Sequence, residues 1–111
     1  MARQITALRD VVTLLKPEDK RDAEGGIDRR WIPERRHRCK VFPLNGREYW
    51  QSDQINSEVS HRVVMRYDSR VTTEKRLDLS GRMLEIVTAV NEEERGRWLT
   101  LRCTESIDGA S

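Results

Sequence analysis

The chain has 111 residues, enough for one domain with a small core and too few for a substrate-enclosing enzyme with a second lobe. Hydrophobic and charged residues each make up 36%, so part of the buried surface is expected to come from a partner. With 21 basic and 19 acidic residues the net charge is +2, which selects no class of partner. No apolar run is long enough to span a bilayer and the first residues lack a signal-peptide core, so a soluble protein without membrane contact, inside the producing cell, is expected.

Residues 1–6 carry no pattern and are expected to fray. LRDVVTLLK (8–16) is rich in Val, Leu and Thr and predicts a strand. The next stretch, 17–30, combines Pro17, many charges and Gly25-Gly26, and predicts an extended, exposed loop with a hairpin-like tip. Gly25, Gly26 and the following Trp31 form a candidate partner-binding loop. In RRHRCKVF (35–42), period two places His37, Cys39 and Val41 on one face and Arg36, Arg38 and Lys40 on a basic outer face. Pro43 ends that strand.

The segment 44–58 is a second expected long loop, or a short helix inserted in its place, opened by the turn at Asn45-Gly46. The alternation Val59, His61, Val63, Met65, Tyr67 against Ser60, Arg62, Val64, Arg66 predicts a half-buried strand. RLDLS (76–80) and MLEIVTAV (83–90) flank Gly81-Arg82 as a tight hairpin, and the second pairs with WLTLRCTE (98–105) across a turn at 94–97. Residues 106–111 are expected to fray. About six short strands with at most one short helix define a mainly β fold, a small closed or nearly closed β-barrel over residues 1–111, because closure removes exposed edges.

Chemistry is sparse. His37, Cys39, His61 and Cys103 are the one conceivable metal or nucleophile cluster, but their spacing matches no zinc knuckle, and buried thiols with locally bonded imidazoles explain them better. No phosphate loop, nucleophile elbow or H-E-x-x-H is present, so neither enzyme nor cofactor is expected. Residues 29–40 hold six Arg or Lys against one Glu, whereas NEEE (91–94) is acidic. Opposite patches on one small body suit head-to-tail contact between copies. The alternative reading is a small barrel that binds single-stranded nucleic acid through Arg36, Arg38, Lys40 and Trp31.

Residues 43–105 also resemble the head-closure, or head–tail joining, proteins of tailed bacteriophages. The elements that carry the resemblance are Pro43-Leu44, Gly46, Glu48, Ser60-His61-Arg62, Arg66-Tyr67, Val71-Thr72, Arg76, Gly81-Arg82, Ile86-Val87, Asn91, Glu94-Arg95 and Leu99 through Cys103. Arg-Arg-His-Arg at 35–38 is more basic than that pattern. The resemblance implies a structural subunit of the virion neck, present in the host cytoplasm before assembly. It would form a homo-oligomeric ring under the portal and adaptor, close the DNA exit channel after packaging, touch the packaged double-stranded DNA non-specifically and receive the tail. On that reading Asn45, Gly46, Arg47, Glu48, Tyr49, Trp50, Gln51 and Asp53 face the channel or a neighbouring ring.

Overall fold

The structure, a computed structural model, describes residues 8–44 and 59–105. Six strands are present: β1 (Asp10–Arg21), β2 (Ile27–Pro43), β3 (His61–Arg66), β4 (Arg76–Leu79), β5 (Arg82–Asn91) and β6 (Trp98–Glu105). They close into an antiparallel barrel in the order β1-β2-β3-β6-β5-β4, with β4 pairing back onto β1. The expected mainly β barrel is therefore what the chain forms, and β4, β5 and β6 are the expected meander. The only helical element among the described residues is a three-residue 3-10 turn, Glu92–Glu94. It starts the β5–β6 connection two residues before the turn expected from sequence.

Alternation fills the interior. One row runs Leu14, Leu77, Leu84 across β1, β4 and β5, and another runs Val63, Leu101, Ala89 across β3, β6 and β5. Leu14, Leu77, Leu84, Val63 and Leu101 are each 0% exposed. Two bulges bend the wall: Glu34 is the extra residue of β2 against Leu14 and Leu15, and Val87 is the extra residue of β5 against Cys103 and Arg102. The second bulge changes parity, so Leu84 and Ile86 point inward before it and Ala89 after it. Tyr67, expected to face the core, is 39% exposed because β3 ends at Arg66 and the chain has already turned away.

The largest departure from expectation concerns 17–30. These residues are not a loop: β1 continues to Arg21 and β2 starts at Ile27, with unbroken pairing from Lys16–Ile32 out to Arg21–Ile27. They form a two-stranded arm, exposed from Glu18 through Arg30, and about 20 Å long at ~3.4 Å per residue. Its tip is fixed by Asp22, whose carboxylate accepts from the backbone of Glu24 (3.0 Å) and Gly26 (2.7 Å), while Gly25 takes a φ of 88°. Polarity in sequence signals a loop, but a ladder standing in water needs polar faces too. Trp31 accordingly lies on β2 at the arm's base, half-buried.

Register also fixes the ends. The arm leaves the barrel at the end that carries Arg66, Trp98, Asn91 and Arg76; Leu44 and Val59, which flank 45–58, lie at the other end with His61, Arg82 and Glu105. The arm end is closed by residues 67–75, which place Val71, 4% exposed, into the core.

Candidate assembly interfaces

Three regions stand out, and none is an enclosed pocket. The first is the arm. Its ladder is crossed by an ion pair, Arg29 Nε to Asp19 Oδ1 at 2.8 Å, and Arg30 meets Asp28 at 3.3 Å. Arg29 and Arg30 are thereby matched on the arm. Trp31 is covered by the Arg76 guanidinium, 4.3 Å from its ring centroid, and Arg76 also reaches Glu85 at 3.2 Å. The bulge at Glu34 keeps Trp31, opposite Pro17, on the same side of the β1–β2 ladder as Arg36 and Arg38, opposite Thr13 and Val11, but its ring is already covered by Arg76, so the nucleic-acid reading has a shielded aromatic platform. At the tip Ile27 is 69% exposed.

The second region is the outer wall of β2, β3 and β6. Arg36 and Arg38 are exposed and Lys40 is half-covered, and the strand order adds cations that sequence reading did not join to them. Lys40 stands opposite Val64 and Val64 opposite Thr100; Phe42 stands opposite Arg62 and Arg62 opposite Arg102. Arg66 ends β3 beside Trp98. The outward positions of β2 from Arg36 on, of β3 and of β6 thus carry Arg36, Arg38, Lys40, Arg62, Arg66 and Arg102 and no carboxylate. Lys40 and Arg62 lie over the Phe42 ring at 5.7 and 4.1 Å, and Arg66 lies over Trp98 at 5.1 Å. These stackings hold the long side chains flat against the wall. The signal available in sequence was the outward parity of Arg62 and Arg66; what was missing was which strands are neighbours.

The third region is the end from which 45–58 departs. Leu44 N donates to Ser60 O (2.9 Å) and Ser60 N to Cys103 O (2.8 Å). Ser60 Oγ accepts from Glu105 N at 3.0 Å and lies 2.8 Å from His61 Nδ1; Arg82 Nη2 donates toward His61 Nε2 at 3.3 Å and to Glu105 Oε1 at 2.8 Å. An acceptor Nε2 requires the neutral imidazole, with its proton on Nδ1 toward Ser60. Burial, reinforced by Arg82, holds the His61 pKa below its ordinary value. The candidate channel residues Asn45, Gly46, Arg47, Glu48, Tyr49, Trp50, Gln51 and Asp53 lie outside the described residues.

The four residues weighed as a metal cluster are occupied otherwise. His37 Nε2 lies 3.1 Å from Asp68 Oδ2, though out of line for a hydrogen bond. Cys39 and Cys103 are free and 0% exposed, and burial pushes both thiols up to about 12. Among the described residues no group of three or more His, Cys, Asp or Glu is placed to hold a metal ion.

A closed small barrel with an exposed ordered arm, a basic wall and pinned roots for a further segment is a protein built to be touched from outside. Residues 3–106 match the phage head completion protein family, and the chain belongs to that family. It is a structural protein of phage head completion and virion assembly. It is 23% identical over 78 residues to the head completion protein gp16 of Bacillus phage SPP1, covering 70% of this chain and 72% of that protein. The fold is similar to the solution structure of protein SF1141 from Shigella flexneri 2a, with a TM-score of 0.76, 23% identity and coverage of 94% of this chain and 97% of the other. A chain of the native gene transfer agent virion is also similar, with a TM-score of 0.63, 18% identity and coverage of 87% and 94%.

Proposed function

We propose that the chain is a non-catalytic neck subunit acting as a single barrel domain, which assembles as a ring on the portal or adaptor, closes the DNA exit channel after packaging and joins head to tail. The observation that carries this reading is the two-ended construction of the barrel: the arm leaves one end and the roots of 45–58 lie at the other. A subunit that must hold an upstream ring and a downstream partner needs contacts at both ends, and family membership across 3–106 supplies the setting. On this reading the arm, with Gly25 and Gly26 at its tip, reaches a protein partner. The segment 44–58 faces the channel or an adjoining ring, near the packaged double-stranded DNA.

Before assembly the chain waits in the host cytoplasm. Its mixed-sign surface and small apolar supply favour a polar, heterologous contact over an obligate hydrophobic one, so pure protein is expected to sediment as a monomer or a weak associate at micromolar concentration. A salt-resistant ring in analytical ultracentrifugation would contradict that. The channel role is tested by replacing 46–56 with a short Gly-Ser link. The barrel should still fold, by circular dichroism and cooperative urea unfolding, while particles lose packaged DNA or fail to join tails. An insoluble product, or particles that keep DNA and tails, would reject the assignment.

A further inference from the structure

The arm tip and the basic wall are complementary to each other, yet they cannot meet within one barrel. Residues 22–28 read DAEGGID, with three carboxylates and no cation, and they hold up Ile27, the most exposed large hydrophobic residue of the described chain. Asp22 pre-forms the turn, so little ordering entropy remains to be lost on docking. The wall formed by β2 from Arg36 to Phe42, β3 and β6 offers the opposite chemistry: Arg36, Arg38, Lys40, Arg62 and Arg66 around the stacked rings of Phe42 and Trp98, with no carboxylate at its outward positions. The arm shares β2 with that wall but runs straight out from it, which carries the tip about 20 Å away.

We propose that the arm tip of one copy docks on the basic outer wall of the next copy, with Ile27 against the half-buried Phe42 and Thr100 and with Glu24 and Asp28 among the arginines. Such a contact joins two different patches, so it repeats head to tail and closes into a ring when the rotation permits. Matching opposite charges sets register and rejects wrong partners, since like charges brought together cost several kcal/mol. The inference rests on the ring reading above and names the ring's subunit contact.

The test uses particles assembled from the Ile27→Cys/Thr100→Cys chain. Native Cys39 and Cys103 stay silent because both are 0% exposed and their thiols are pushed up to about 12. Mild oxidation should give a ladder of disulfide-linked multimers on denaturing gels, and the Ile27→Cys/Glu74→Cys control should give none. Glu24→Lys and Arg38→Glu should each weaken self-association about tenfold, and the double reversal should restore it. If amine cross-linking of unsubstituted particles yields a ladder and the Ile27→Cys/Thr100→Cys chain does not, the ring stands and this contact is overturned. With neither ladder, the ring reading falls and this contact with it. An absent disulfide together with loss of DNA-duplex binding in Arg38→Glu would assign the wall to nucleic acid instead.

Discussion

Leu77→Ala is expected to lower the free energy of unfolding by about 3 kcal/mol, within the usual range for a buried leucine truncated to alanine. Leu77 is the centre of the closure. β4 has four residues, and the barrel is shut only where that strand pairs with β1 on one side and β5 on the other. Leu77 stands opposite Leu14 and Leu84, all three are 0% exposed, and the neighbours are held on a ring of strands that can collapse little into the void. For a domain this small, ~3 kcal/mol is a large share of a total of roughly 5–15 kcal/mol. Urea unfolding followed by Trp fluorescence should show the midpoint fall with the slope unchanged. Val11→Ala, at an outward site that is 37% exposed, should change it by under about 1 kcal/mol. Equal losses at the two sites would mean that β4 does not close the core.

Most of the barrel was legible because its inner wall is written by alternation. The strand from Trp98 to Glu105 is legible to the residue, since inward Leu99, Leu101 and Cys103 are separated by polar or charged neighbours throughout. The hairpin between β4 and β5 was legible, but its turn lies one residue earlier than the expected Gly81-Arg82: Leu79 pairs with Arg82, and a two-residue link needs positive φ at both positions, which Ser80 (51°) and Gly81 (91°) take. The arm was not, for a physical reason. Loop statistics report exposure, and Lys20, Arg21, Asp28 and Arg29 are as exposed in a free-standing ladder as they would be in a loop. The bulges at Glu34 and Val87 have no sequence mark of their own, so the parity change between Ile86 and Ala89 stayed hidden.

The same limit applies to the surfaces. The basic face was visible as far as one strand could display it, through Arg36, Arg38 and Lys40. Its full extent depends on β6 lying next to β3, which brings Trp98 and Arg102 beside cations more than thirty residues away. The sequence pattern placed Arg62 and Arg66 on the correct side of their strand, yet only the register sets them beside Phe42 and Trp98.

Stability should fall with acid from about pH 6.5, the ordinary histidine value, because two imidazoles are held neutral. His61 is pushed below that value by burial first and then by Arg82, against a smaller opposing pull from Glu105. His37 is pushed down by burial, with Arg35 and Arg70 adding to it and Asp68 opposing. In the unfolded chain each ring takes its proton near pH 6.5, and in the barrel only lower. Between the two values the unfolded state holds more protons, so stability is complete above about pH 6.5 and is lost as pH falls through the folded pKa. Each ring contributes a slope of at most ~1.4 kcal/mol per pH unit within that window. Asp68 and Glu105, whose ion pairs with Arg70 and Arg82 hold them below the usual carboxylate range, add their losses only in stronger acid. Urea midpoints are therefore expected to be flat from pH 8 to 7 and to decline from about 6.5 to 5. His37→Gln and His61→Gln should each remove part of the decline, and the double variant most of it, whatever their absolute stabilities. A double variant that declines as steeply as the unsubstituted chain would show that the imidazoles are not responsible. In His61 the loss has a specific origin: a proton on Nε2 would face the Arg82 guanidinium, which now donates to that nitrogen, and would pull on the contacts that pin Ser60 beside Leu44.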